Sequence, residues 1–205
     1  LLGVSAEPGP EGAITLRASG RPSCRVAAPD PVLARRSVEV WEAACDGLDL
    51  GDDAAQWMTA IVGEKCRVVY MPDSCQRSIN SSAAQTGDIV SFADGFPLLL
   101  TLKESLDRLN NSIQSRVSMR CFRPNVVVTG FAPFSELSWS RVRIGTIDFE
   151  VGGPCVRCQL ITRHPETGVR RSDGQPLTHL AKTQRTEQGV VFGINLIPRG
   201  TGTLR

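Results

Sequence analysis

Three features of the sequence predict an α+β fold that is mostly β. Apolar residues recur with a period of two in several short stretches, as at Ile14, Leu16 and Ala18. Helical three-and-four spacing appears clearly in only two places, one after Gly51 and one after Thr101. The run Val126-Val127-Val128 is continuously apolar and reads as a central strand. Many short strands with two clear helices and no internal repeat point to a β-barrel-like architecture.

The elements follow in order. Glu7-Pro8-Gly9-Pro10-Glu11-Gly12 is expected to be a turn, and Ile14 to Ala18 a half-buried strand. Val38 and Val40 mark a second strand running toward a turn at Asp46-Gly47, followed by Leu48 and Leu50. Gly51-Asp52-Asp53 then opens a helix with Ala54, Trp57, Met58, Ile61 and Val62 on its apolar face, and Gly63 stops it. Cys66 to Tyr70 reads as a strand.

Residues 74–90 are small and polar, the pattern of a long loop, and the domain boundary is placed at its start, giving residues 1–75 and 76–205. Leu98 to Leu100 is a short buried strand. Thr101-Leu102-Lys103-Glu104 has the pattern of a capping box, ahead of a helix with Leu102, Leu106, Leu109 and Ile113 on its buried stripe. Beyond the Val126 strand, Val142, Ile144, Ile147 and Phe149 predict further strands. Leu177 to Ala181 predicts a short helical piece, and Val190 to Ile197 the last strand.

The charge balance narrows the function classes. With 23 basic against 21 acidic residues, and aromatics at 5%, the sequence lacks the basic, aromatic-laced surface of a nucleic-acid binder. Its longest apolar runs fall far short of a bilayer span, so no transmembrane segment is expected in this region. The first residues, Leu1-Leu2-Gly3-Val4, have no initiator methionine and read as a chain beginning within a domain. The seven cysteines are odd in number and irregular in spacing, which argues against a secreted disulfide framework and for a reducing compartment.

The densest chemistry lies in Gly153-Pro154-Cys155-Val156-Arg157-Cys158. A thiolate is a soft ligand for a soft metal, and a neighbouring arginine both favours the thiolate and can grip a phosphate. The plain alternative is two free cysteines on a strand. Zinc would need two more ligands, and Cys121, His164 and His179 have no paired spacing to supply them. No helix start follows the pair, as a thioredoxin-type couple would require, and the four-cysteine spacing of a ferredoxin is absent. In Phe122-Arg123-Pro124-Asn125, the proline biases Arg123 toward an extended backbone that could aim its fork at a phosphate, with Asn125 as a second donor. Asp94-Gly95-Phe96-Pro97 is a turn whose small residue lets backbone approach a ligand. His164 and His179 are expected to face solvent. Ser135, Ser138 and Ser140 lack a nucleophile elbow, so a hydrolase is not supported.

In sequence order, Phe92-Ala93-Asp94-Gly95-Phe96-Pro97, Phe122-Arg123-Pro124-Asn125, Trp139, Ile144-Gly145, Pro154-Cys155-Val156-Arg157-Cys158, Thr167-Gly168 and Phe192-Gly193-Ile194-Asn195 resemble the MOSC domain proteins. Among these, the resemblance is strongest to the mitochondrial amidoxime-reducing component and to bacterial proteins joining a MOSC domain to a ferredoxin domain. Trp41 to Asp73, with Ala55-Gln56-Trp57, resembles the later part of the N-terminal β-barrel domain that precedes MOSC. Residues 1–75 are accordingly expected to be the remainder of that domain, and the chain a fragment lacking its first strands.

The resemblance implies a molybdenum cofactor, molybdopterin with one metal, and reduction of N-hydroxylated substrates such as amidoximes, hydroxylamines and N-hydroxylated bases. Electrons would come from a partner of the ferredoxin, cytochrome b5 or flavin reductase type. It implies Cys158 as metal ligand and catalytic residue, with Gly95, Phe96, Arg123, Asn125, Val156, Arg157 and Asn195 contacting the cofactor. Two departures bear on this. Val156 stands where the family often has serine, and the strands that carry a further lysine and arginine for the cofactor lie outside the sequence. The rival readings are a sulfur carrier with a persulfide on Cys158, and a binding module without catalysis. The implied location is the cytoplasm for a bacterial protein, or the mitochondrion for a eukaryotic one.

Overall fold

The computed structural model describes residues 3–203, which divide into two compact units. One comprises the described residues up to 77 with 166–168, the other residues 78–165 and those from 169 onward.

The first unit holds two three-stranded antiparallel sheets and a helix. Strands β1 (Val4–Pro8), β2 (Ile14–Ala18) and β3 (Cys24–Val26) form one sheet. The turn expected from Glu7 to Gly12 therefore starts later, because Glu7 and Pro8 pair with Thr15 and Ile14 on β2. Strands β4 (Arg35–Val40), β5 (Ala43–Asp49) and β6 (Val69–Tyr70) form the other.

The turn predicted at Asp46-Gly47 is not there. The β4–β5 hairpin closes at Trp41-Glu42, where Trp41 takes φ 57°, and Asp46-Gly47 runs straight through β5. The physical reason for the glycine is close approach, since a Cβ on Gly47 would lie 2.8 Å from Cβ of Val69 on the neighbouring strand. The strand expected from Cys66 shrinks to two residues, with Cys66 bound instead through its backbone N–H to Thr59 Oγ1 at 3.2 Å. Helix α1 (Asp52–Val62) matches its predicted span, with Gly63 in the left-handed conformation at its end. Its Ala54, Trp57 and Met58 pack on Leu16, Cys24 and Val26, and the Trp57 indole N–H donates to the Pro22 carbonyl at 2.7 Å.

The second unit is built on one six-stranded sheet. It contains β7 (Leu98–Leu102), β8 (Val126–Val128), β9 (Arg141–Ile144), β10 (Ile147–Val156), β11 (Arg185–Thr186) and β12 (Gly189–Pro198). The path runs β8-β7-β12-β10-β9, with β11 paired to β12 beside it. Only β7 and β8 are parallel. The Val126 run is thus an edge strand and not a central one, and Val127 points outward, 49% exposed. The long strand β12 occupies the middle, and its Ile194 and Leu196 are fully buried against Leu100, Leu102 and Phe149.

Helices α2 (Lys103–Asn110) and α3 (Leu177–Thr183) cover a second core of Leu109, Phe122, Ile161, Leu180 and Phe192. The capping box does not form. Leu102 is the N-cap without a side-chain bond, and Thr101 Oγ1 contacts the Met119 sulfur at 3.3 Å. Glu104 turns instead to the loop after β8, where its Oε1 accepts from Thr129 Oγ1 and from the Gly130 N–H. Leu102 stays in strand β7 and Ile113 lies beyond the helix, so the predicted stripe is shared between two cores. The polar 74–90 segment is more anchored than its composition suggests. Ile79 and Val90 bury with Ile197, and Ser78 bridges Ile89.

Candidate functional site

Strand β10 delivers the cysteine pair to its end. Cys155 lies within the strand and is half-buried, Val156 closes it, and Cys158 beyond it is exposed. A short 3-10 turn, Gln159–Thr162, opens at Cys158, whose sulfur accepts the Leu160 N–H at 3.5 Å. A helical start does therefore follow the pair, against the sequence expectation, although it lasts a single turn.

The two thiols differ in environment. Burial pushes the Cys155 thiol above its ordinary pKa. The Arg157 charge opposes this, while Asp94 and Cys158 add to it. The arginine between the cysteines was expected to favour the thiolate, and at Cys155 desolvation wins over it. Burial likewise pulls the Arg157 guanidinium below its ordinary pKa, with the two cysteines opposing.

Arg157 reaches away from solvent. Its Nε and Nη2 both donate to the Phe192 carbonyl, at 3.0 and 2.7 Å, and Nη1 donates to the Phe122 carbonyl at 3.1 Å. The guanidinium also lies 5.5 Å from the Phe122 ring centroid, in cation–π range. Three of its five N–H bonds are therefore directed at backbone. It ties β10 to β12 and to the turn carrying Arg123.

That turn departs from expectation. Arg123 takes φ 55°, left-handed and not extended, and the preceding one-turn helix Met119–Cys121 accounts for it: the Arg123 N–H donates back to Arg120 O. A non-glycine residue in this region is strained and is held there by its surroundings, here the Phe122 carbonyl pinned by Arg157. Asn125 then clamps the start of β8 to β7. Its Oδ1 accepts the Leu99 N–H at 2.9 Å, and its own N–H donates to Leu99 O at 3.0 Å. The Nδ2 group is left over from that clamp. Asn195 on β12 pairs with Leu99 on one side and Gly153 on the other. Asn125, Leu99, Asn195 and Gly153 thus form one row across four strands.

Gly95 and Phe96 reach the same strand from the other direction. The Phe96 ring lies against Gly152, where an added Cβ would come within 2.2 Å of its Cε1. Gly95 and Gly153, by contrast, have open space where a side chain would be, with Gly153 at φ 110°. The structure therefore gathers Gly95, Phe96, Arg157 and Asn195 around the end of β10, with Arg123 and Asn125 linked through Phe122 and Leu99. Val156 is exposed and its Cγ1 faces Gly189. Phe122 and Phe192 stand in the motifs quoted from the sequence, but sequence reasoning gave neither a role. Both are buried aromatics stacked at 3.8 Å, and what they contribute is carbonyl groups, which no side-chain pattern announces.

No group of three or more His, Cys, Asp or Glu side chains suited to a metal ion occurs among the described residues. A metal at this site would have one protein thiolate, Cys158, and would bring its remaining ligands with it. The residues present fit a metal carried by an organic cofactor. They offer an exposed soft donor, open backbone at Gly95 and Gly153, and the free amide of Asn125.

The second unit is thus a mostly β domain with an exposed cysteine just beyond a central strand and open glycine backbone nearby. The chain belongs to the MOSC domain family, whose model matches residues 87–205. It is 33% identical to the mouse mitochondrial amidoxime-reducing component 1 over 170 residues, 78% of this chain and 50% of the mouse protein. It is 36% identical to the mitochondrial amidoxime reducing component 2 of Macaca fascicularis over 127 residues, 60% of this chain and 38% of that protein. It is also 31% identical to the rice molybdenum cofactor sulfurase over 160 residues, 71% of this chain and 19% of the rice protein. The chain thus spans half or less of the length of these relatives. Among the described residues no helix is long and apolar enough to cross a membrane.

Proposed function

We propose that this chain carries the cofactor-binding domain of a molybdenum-dependent reductase of N-hydroxylated compounds, such as amidoximes, hydroxylamines and N-hydroxylated bases. The observation that carries the reading is the exposed Cys158 thiol at the end of β10, in a chain whose described residues hold no group of three or more metal-ligating side chains. Its counterpart is a family match whose relatives include two amidoxime-reducing components. In this reading Cys158 holds molybdenum. Gly95, Phe96, Val156 and Asn195 line the pterin, Arg123 and Asn125 face its polar groups, and Arg157 positions the strand end. The bound group would supply two-electron chemistry at the metal. Cys158 would fix it, and the buried side of β10 would exclude water beneath it. A separate electron-donor protein of the ferredoxin, cytochrome b5 or flavin reductase type would complete the system. Residues 1–75 are read as the remainder of an N-terminal β-barrel domain preceding MOSC, and residues 76–205 as the MOSC domain. A eukaryotic protein of this kind would sit in mitochondria and a bacterial one in the cytoplasm.

The similarity to the rice molybdenum cofactor sulfurase favours a second reading, in which Cys158 carries a persulfide for transfer to an acceptor. One experiment separates the two. The longest available form of the protein, made in a host that produces the cofactor, is analysed for molybdenum and pterin beside Cys158→Ser. Stoichiometric metal that is lost in the variant supports the reductase. A folded protein without molybdenum, with a persulfide on Cys158 found by mass spectrometry, supports the carrier and overturns the first reading.

A further inference from the structure

A concave site lies in the same unit, lined by residues to which the reading above gives no role. It is a cleft of about 500 Å³ between α2, the loop before Ser135 and α3, lined by Arg108, Leu109, Ser112, Phe134, His179 and Thr183 among others. That volume is within the range of small-ligand pockets, roughly 300 to 1,000 Å³.

The lining has a definite chemical character. The Arg108 guanidinium and the His179 ring form no ion pair with any acid among the described residues. Both can donate, and both line a cleft that has no carboxylate in its lining. The two hydroxyls are already committed as donors. Ser112 Oγ donates to the Arg108 carbonyl at 3.1 Å and Thr183 Oγ1 to the His179 carbonyl at 3.1 Å. Toward a ligand they offer only lone pairs. Leu109 and Phe134 supply the apolar surface.

Phe134 is held in place with some force. It takes φ 65°, a left-handed conformation that is unfavourable for a bulky residue. The buried Ser105 fixes it there, accepting the Phe134 N–H at 2.7 Å while donating to the fully buried Glu136 carboxyl at 2.9 Å. The ring then stands edge-on to Phe192 at 6.1 Å. The cleft therefore has a fixed aromatic wall beside two side chains, Arg108 and His179, that can donate hydrogen bonds.

We propose that this cleft binds a small flat organic carboxylate carrying a hydrogen-bond donor at its far end. The carboxylate meets Arg108 in the two-pronged geometry that a guanidinium favours, with His179 as the second donor. The flat body lies along Phe134 and Leu109, and the distal donor finds the Ser112 or Thr183 oxygen. The proposal does not rest on the molybdenum reading, because none of these lining residues is assigned to the cofactor there.

The test is an amide-resolved NMR titration of the labelled chain with 4-hydroxybenzoate, with neutral 4-hydroxybenzamide as control. Saturable shifts confined to residues 108–112, 133–135 and 179–184, absent with the amide, are expected. Arg108→Ala, a change on an exposed helical position that leaves the core intact, is expected to weaken binding about tenfold or more, the loss of one charge-assisted pair. His179→Gln, which keeps a donor, is expected to weaken it less. No saturable shift at millimolar ligand, equal shifts with the amide, shifts elsewhere in the chain, or unchanged affinity in Arg108→Ala would each overturn the proposal.

Discussion

Arg157 and Phe192 are joined by two hydrogen bonds to a single oxygen, Nε at 3.0 Å and Nη2 at 2.7 Å, across the central strand pair of the sheet. The same guanidinium reaches the Phe122 carbonyl. One side chain therefore ties the strand that ends at Cys158 to the strand beside it and to the strained Arg123 turn. A lysine keeps the charge but presents one compact ammonium, which cannot serve both carbonyls in this planar geometry. Arg157→Lys is expected to lower stability by about 1 to 3 kcal/mol, since a buried carbonyl loses its donor. Urea denaturation reads the loss. An unchanged midpoint would show that the bridge is not structural.

Phe96 and Gly152 form a second such link, this time steric. The ring occupies the space that any side chain at 152 would need, 2.2 Å from the nearest carbon. Gly152→Ala is therefore expected to expel the ring and to cost about 1 to 3 kcal/mol, as overpacking does. The clash needs both partners, so combining it with Phe96→Ala should recover part of that loss. Thermal denaturation of both single variants and the double variant tests this. Strictly additive losses would mean that ring and glycine do not meet.

Where the sequence was readable, a local rule and the tertiary environment agreed. Helix α1 has acids at its start, Gly63 at its end and an apolar face between, and it formed over its expected span. The motifs that carry the MOSC resemblance were legible because each is a distinctive residue type in a distinctive neighbourhood. Three failures share one cause, that a residue's pattern does not state its neighbour. Asp46-Gly47 has turn chemistry, but its glycine serves contact with Val69. Val126 to Val128 is apolar enough for a central strand, yet the topology leaves it at the edge. Thr101 and Glu104 have capping-box spacing, but their side chains meet Met119 and the Thr129-Gly130 loop first. The role of Arg157 was half legible. Its position beside the thiols followed from sequence, whereas its carbonyl partners lie 35 residues away on either side.

In the first unit, Asp49 is nearly buried and accepts from Arg67 at 2.6 and 2.8 Å, from Arg36, and from the Gly51 N–H at 3.0 Å. The Arg67 hydrogen bonds, with Arg36 and Gly51 assisting, hold its carboxyl well below the ordinary range despite burial. A carboxylate whose native pKa is depressed contributes stability that is present above its unfolded value, about 3.9, and fades as pH falls below that. Asp49→Asn is expected to cost about 2 kcal/mol at neutral pH, less than for a fully buried pair because both arginines keep some solvent contact. The difference should shrink on acidification below the carboxylate range. Denaturant midpoints against pH check it, and a constant gap down to strong acid would contradict it.

Glu136 presents the opposite sign. It is fully buried, and the groups facing it are Ser105, the Leu102 and Glu136 backbone and the charge of Glu104, whose own Oε2 is buried without a partner. Burial pushes the Glu136 carboxyl above its ordinary pKa. The Ser105 and backbone hydrogen bonds oppose that shift, and Glu104 adds to it. A carboxyl raised in the folded state favours folding while protonated. Its contribution is therefore full below the unfolded value, about 4.3, and is lost as pH rises through the native one. Glutamine at 136 keeps an oxygen for Ser105 and never ionises. Glu136→Gln is accordingly expected to raise the melting temperature at neutral pH, to give little change near pH 4, and to flatten the slope between. An equal loss at both pH values would show instead that the carboxylate is required for the Ser105–Phe134 link, and that the buried charge is tolerated because of it.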